Sequence, residues 1–232
     1  MKRFYKHVDV AESDGRFQVL LDNRPVRTVG GKLQQVPTRA LAESLAAEWA
    51  AQGVDITPAT LVLRDMADYA IDAVAPDPAA AVLALLPYGE TDTLCYRAEP
   101  DEALHERQLA VWEPLLHRAE QRWDVAFERV SGIIHRPQPT ATLARLRAVL
   151  TARDAFTLAA LRSLAGLSAS LVIGLLALEP GQDGEALWNA ANLEEDWQVE
   201  LWGKDHEAEV LRARRYSDFT AAMRFAALAG DG

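Results

Sequence analysis

The sequence predicts an α+β fold: a small antiparallel β meander with helices at the N-terminus, followed by a mainly α-helical C-terminal domain. Three observations carry this. Short runs before Gly30 alternate apolar and polar residues and are divided by turn residues. From Thr38 the apolar period lengthens to that of a helix, and beyond Pro100 helical periodicity takes over almost completely. The change of character near residues 90–100 places a mixed β/α domain over 1–95 and a helical domain over 96–232.

The meander is read from FYKHVDV, then Asp14-Gly15, RFQVLLD, Asn23 to Pro25, VRTV and Gly30-Gly31. Thr38 is placed to cap a helix whose apolar stripe is Leu41, Leu45 and Trp49, with Gly53 to stop it. A second helix is expected over Leu61–Val74. Asp77-Pro78 supplies a cap and a first-turn proline for a third, ending near Pro87. Thr91–Ala98 reads as extended. A long helix follows from Asp101 to Trp123, bent at Pro114, then an extended VAFERV and a loop around Pro137 and Pro139. Helices are expected over Thr140–Ala152, Asp154–Leu178, Gly184–Trp202 and Asp205–Leu228.

Composition excludes several function classes. The 232 residues carry a formal net charge of -10, which repels phosphate backbones and anionic membranes, so no nucleic-acid partner is expected. The single cysteine, Cys95, leaves no disulfide framework and no multi-cysteine zinc site, which fits a reducing compartment. The first residues lack the apolar core of a secretory signal and the extended basic leader of an import sequence, so the bacterial cytoplasm is the expected location. The apolar stretch from Leu158 to Leu178 is interrupted by Arg162, Ser163, Ser168 and Ser170, and reads as a core helix without membrane insertion.

Sites for small molecules are equally sparse. The five histidines are scattered, so no metal is expected. No phosphate-binding glycine motif is present, and Gly30-Gly31-Lys32 reads as a hairpin turn with no helix starting behind it. Cys95, in an extended apolar context, reads as a small buried side chain. Arg97 needs a carboxylate if buried, and Asp92 or the acidic helix near the C-terminus is the expected partner, tying the domains together.

The richest segment is NLEEDWQVELWGKDHEAE, residues 192–209. Leu193, Trp197 and Leu201 form one i, i+4 stripe, and Glu194, Gln198 and Trp202 form the adjacent one. Three readings stand side by side: a solvated acidic face, an aromatic protein-binding surface, and a hydrolase or isomerase site using carboxylates around Glu195 and Asp205.

Taken in order, RFYKHVDV, LDNRPVRT, VPTRALAESLAAEWAAQG, TDTLCYRAEP and EEDWQVELWGKDHEAE resemble the ATP-twelve-type assembly chaperones of the ATP synthase catalytic head. The match runs from residue 3 to about 209. It departs where Asp65, Asp68 and Tyr69 stand in place of small residues. The resemblance implies a two-domain binding protein, not an enzyme, with no cofactor and no small-molecule substrate. Its implied partner is the free alpha subunit, whose beta-facing surface it covers until the hexamer forms. By the same resemblance, Glu195, Gln198, Trp202 and Asp205 are the expected client contacts, with Glu195 foremost. Trp49, Asp92, Arg97, Trp197 and Gly203 are the expected structural or interdomain residues.

Overall fold

A computed structural model describes residues 1–132 and 134–230, with a small antiparallel sheet in the N-terminal region and helices through most of the remainder. The strands β1 (Val8–Ser13) and β2 (Arg16–Leu21) pair antiparallel from Val8↔Leu21 to Ser13↔Arg16. Both Asp14 and Gly15 have positive φ, the turn geometry that matches the twist of the flanking strands. Asp22 and Asn23 repeat this conformation and lead into β3 (Arg24–Pro25). The chain then returns so that β4 (Gln35–Val36) pairs with the start of β2.

Thr38 caps α1 (Arg39–Ala50) by accepting the Leu41 amide at 3.1 Å. The stripe Leu41, Leu45 and Trp49 is buried, and α1 packs on β1 and β2. Tyr5 meets Trp49 edge-on at 5.8 Å and its hydroxyl donates to the Trp49 carbonyl at 2.6 Å. The next helix, α2 (Val62–Tyr69), runs on as a π-helical turn over Ala70–Val74.

That π-helical turn presents Asp72 to the Gly30-Gly31 loop. Gly30 N–H donates to Asp72 Oδ2 at 2.7 Å, and Thr28 Oγ1 donates to Oδ1 at 2.9 Å. Val29 N–H donates to buried Asp68 at 3.1 Å, and Arg64 lies 3.3 Å from the same carboxylate. The glycine loop therefore cradles an anion of its own chain, and Asp68 acquires amide and guanidinium partners that small residues would lack.

Two compact units are resolved. The first comprises Met1–Pro78, Asp154–Ala160 and the chain from Ala221 onward. Phe156 stacks on Phe225 at 6.2 Å, Arg224 donates to Ser44 at 3.1 Å, and Thr38 Oγ1 donates to the Leu228 carbonyl. The second comprises Ala79–Arg153 and Leu161–Thr220.

Within the second unit lie α3 (Pro78–Leu85, from its second residue), α4 (Pro87–Glu90) and α5 (Ala103–Trp123), which carries Pro114 inside. Buried Trp112 of α5 donates to the Ala190 carbonyl at 2.8 Å. The segment expected to be extended over Thr91–Ala98 begins as a 3-10 turn, Thr93–Cys95, because Asp92 caps it by accepting the Leu94 amide. Only β5 (Tyr96–Arg97) is strand, pairing parallel with β6 (Val130–Ser131); the rest of VAFERV takes no regular structure.

After α6 (Thr140–Thr151), the helix expected over Asp154–Leu178 divides into α7 (Ala155–Ser168) and α8 (Leu171–Ala177). Ala169 takes φ 50°, and Ser170 caps α8 by accepting the Ile173 amide at 3.0 Å. This folds α8 back on α7, where a side chain at Gly174 would meet Leu161 at 2.9 Å. Every residue of α8 is buried. The expected Gly184–Trp202 helix likewise divides at Asn192 into α9 (Gly184–Ala191) and α10 (Leu193–Trp202), followed by α11 (His206–Ala229). Among the described residues, no single helix is long and apolar enough to cross a membrane.

Candidate functional site: a groove beneath helix α10

The sequence places five residues of α10 on one side: Glu194, Trp197, Gln198, Leu201 and Trp202 follow the i, i+3, i+4, i+7, i+8 spacing of a single helical face. Together with Tyr96 and Arg97 of β5, Glu99, Glu102 and Leu104, they line an open groove of about 810 Å³. The two stripes read from the sequence are thus one surface. Its inner end is anchored by Leu193, which is buried, and its outer end projects into solvent, with Leu201 57% and Trp202 79% exposed.

Gln108, fully buried on α5, fixes the groove's walls. It accepts the Ala98 amide at 2.9 Å and donates Nε2–H to Glu194 Oε1 at 2.7 Å. Partial loss of water at Glu194 raises its carboxyl above the usual range, opposed by the hydrogen bond from Gln108. Trp197 carries Arg107 over its ring at 5.6 Å, and the same guanidinium forks onto Glu200 at 2.6 and 2.8 Å.

Arg97, itself buried, enters a half-buried ionic network. Its guanidinium pairs with Glu113, which also holds Arg129 at 3.0 Å, and Arg129 pairs with Glu120. Burial works to raise the Glu113 and Glu120 carboxyls, but the hydrogen bonds from their arginines outweigh it and hold both below the usual range. The partner of Arg97 is therefore Glu113, in place of the expected Asp92 or C-terminal acidic helix. Asp92 instead accepts the Leu94 amide at 3.1 Å and the Val172 amide at 2.9 Å, binding the 3-10 turn to the start of α8. Burial raises its carboxyl to about 6 despite those bonds. Next to it, Cys95 is fully buried, and its thiol is pushed up by burial and then by the Asp92 charge, the reverse of an activated nucleophile.

Of the four expected contact residues, Gln198 and Trp202 reach the groove. Glu195 stands off that face, with its carboxylate 3.7 Å from Arg215. Arg215 is itself held by a hydrogen bond to the Leu167 carbonyl at 2.9 Å. Asp205 caps α11 by accepting the Glu207 amide at 2.8 Å. The two carboxylates of the acid/base reading are thus engaged separately, and neither lines the groove. Gly203 ends α10 at φ 90°, a conformation that favours glycine. Trp197, half-buried, lines the groove, whereas Trp49 lies in the sheet-and-α1 core, 6% exposed. The groove residues that sequence reasoning did not single out include Tyr96, Glu99, Glu102 and Leu104, because they join α10 only through the fold, from segments far from it along the chain.

Among the described residues, no three His, Cys, Asp or Glu side chains converge as a metal ion requires.

Comparison with known proteins assigns the family. The model described as "ATP12 chaperone protein" matches residues 2–120. The mitochondrial protein atp12 of Schizosaccharomyces pombe is 25% identical over 224 residues, covering 89% of this chain and 75% of that protein. The crystal structure of Atp12 from Paracoccus denitrificans superposes with a TM-score of 0.91 at 36% identity, covering 99% of this chain and 98% of that one. A putative chaperone from Agrobacterium tumefaciens superposes at 0.94 with 37% identity, covering 99% of this chain and 86% of its own. The chain belongs to the ATP12 chaperone family.

Proposed function

We propose that this chaperone acts in ATP synthase assembly, holding the free alpha subunit of the catalytic head and covering its beta-facing surface until the hexamer closes. A subunit destined for a closed ring carries apolar interfaces that associate wrongly when exposed alone. A temporary cover must bind them and later yield to a larger, permanent interface. The observation that carries this reading is the outer end of α10: Leu201 and Trp202 are exposed side by side, and α11 also exposes Val210 and Leu211. Exposed tryptophan beside aliphatic side chains, rimmed by acidic residues, has the composition of a binding hot spot. The bacterial cytoplasm is the compartment in this reading, as solved relatives come from bacteria.

The test is to refold isolated alpha subunit with and without the chaperone and to measure what stays soluble and co-elutes. Wild type keeps the subunit in solution as a complex. Trp202→Ser, whose ring is mostly in water, keeps the wild-type melting temperature and loses the complex. Aggregation of alpha subunit regardless of chaperone would sink the reading.

A further inference from the structure

The groove beneath α10 has a charge imbalance that its own chain does not neutralise. Glu99, Glu102 and Glu194 line it, and among the described residues none of the three has a cation within ion-pair distance. Glu102 Oε1 accepts the Glu99 amide at 3.1 Å, and Glu194 Oε1 accepts from Gln108 at 2.7 Å, so each is held through one oxygen. Glu99 is seated against Gly132, where a side chain would come within 2.6 Å of its Oε1. The one arginine of the groove, Arg97, is buried and already paired with Glu113. On α10 itself, about two turns beyond Glu194, Leu201 and Trp202 stand exposed.

The neighbouring turn of α10 shows what such a set of groups holds. There Arg107 lies over the Trp197 ring with its guanidinium forked on Glu200, so an aromatic face and a carboxylate share one arginine. Trp202 and the three carboxylates line one groove and supply an aromatic side chain and acceptors of the same kinds, without an arginine. A guanidinium suits the place better than a metal ion, because the aromatic wall attracts a flat, weakly hydrated cation.

We propose that the groove receives a client segment in which an arginine is flanked by apolar side chains, the arginine entering past Trp202 toward the carboxylates of Glu99, Glu102 and Glu194. The inference rests on the chaperone reading for its client, and on the groove alone for the chemistry. Complementary charge sets orientation and encounter rate, while the apolar wall supplies the holding area. Such a contact weakens with added salt, which suits a cover that must be displaced.

The probe is a short alanine–leucine peptide containing arginines, compared with the same peptide in which citrulline keeps the shape and removes the charge. Both are titrated into the full chain by calorimetry, with the Trp202 indole N–H followed by NMR. The arginine peptide is expected to bind, to move the Trp202 signal, and to bind about tenfold tighter or more than the citrulline peptide. In Glu99→Gln/Glu102→Gln/Glu194→Gln the two peptides bind alike, with the melting temperature retained. Equal binding of both peptides to wild type, or unchanged arginine preference in the triple variant, overturns the proposal. Isolated alpha subunit forms a separate arm. A triple variant that holds it as wild type does overturns the groove chemistry and leaves the client assignment standing. An arginine-selective groove on a chaperone that does not bind alpha subunit supports the chemistry and rejects the client.

Discussion

Gln108 donates to Glu194 at 2.7 Å while its own amide oxygen accepts the backbone N–H of Ala98. One fully buried side chain therefore sets the spacing between the strand exit and α10, the two walls of the groove. Gln108→Leu keeps the volume and removes both bonds, leaving the Ala98 amide without its acceptor. The expected loss is about 1–3 kcal/mol in urea denaturation. The Glu194 carboxyl, stripped of the hydrogen bond that lowers it, titrates at higher pH than in wild type by carbon-13 NMR. An unshifted titration would show that the Gln108 bond does not govern this wall.

Gly30 has no room for a side chain: a Cβ there would lie 2.7 Å from Asp72 Oδ2. Since Asp72 is held in place by Thr28 and by the Gly30 amide, the clash falls on the carboxylate that organises the loop. Gly30→Ala is expected to lose about 1–3 kcal/mol. Asp72→Ala removes the obstacle and the acceptor together. The double variant is therefore expected to be less destabilised than the sum of the singles, as read from a double-mutant cycle by denaturation. Strict additivity would mean that the two positions do not communicate.

What the sequence revealed and what it hid follow from the range of the interactions. The Asp14-Gly15 turn and the Thr38 cap are local, so a few adjacent residues determine them. The break at Ala169 is hidden, because alanine carries no signal for φ 50°; the serines on either side supply the bonds that make it tolerable. Arg97 visibly needed a carboxylate, but its partner Glu113 lies sixteen residues on in α5, and β5 and β6 are too short to show a period that would orient Arg97. On α10, i+4 spacing alone separated two stripes that the i+3 neighbours unite. Phe156 and Phe225 belong to the first unit although they lie far along the chain, and apolar periodicity identifies a buried face without naming its partner.

Glu195 distinguishes a surface role from a structural one. Its pair with Arg215 spans 3.7 Å with 58% of the Glu195 side chain exposed, so the expected contribution is at most about 1 kcal/mol. Glu195→Lys is therefore expected to shift the melting temperature only slightly, with Arg215 still held by the Leu167 carbonyl. Alpha-subunit binding, measured by co-elution, is expected to fall, because a cation in the acidic rim repels the basic client residues that the rim is proposed to meet. A large drop in melting temperature with binding intact would make Glu195 a fold residue.

Asp92 makes stability depend on pH in a direction opposite to the common acidic case. Its carboxyl is raised from 3.8 to about 6 in the fold, chiefly by burial, so the folded state binds a proton that the unfolded chain has released across this window. The corresponding stabilisation is complete below about pH 4, and it is lost as pH rises through about 6. The shift corresponds to roughly 3 kcal/mol. Glu113 and Glu120, lowered by their arginines, act with the opposite sign, and their contribution is lost only as pH falls below the ordinary carboxylate range. The two effects therefore occupy different windows. Asp92→Asn removes the titrating group while keeping an oxygen acceptor for the Leu94 or Val172 amide. Urea denaturation at pH 5, 6 and 7 is expected to show wild-type stability falling relative to this variant as pH rises, with the variant less stable at pH 5 by the larger margin. Parallel stability curves across that range would mean that the buried carboxylate does not change its protonation there.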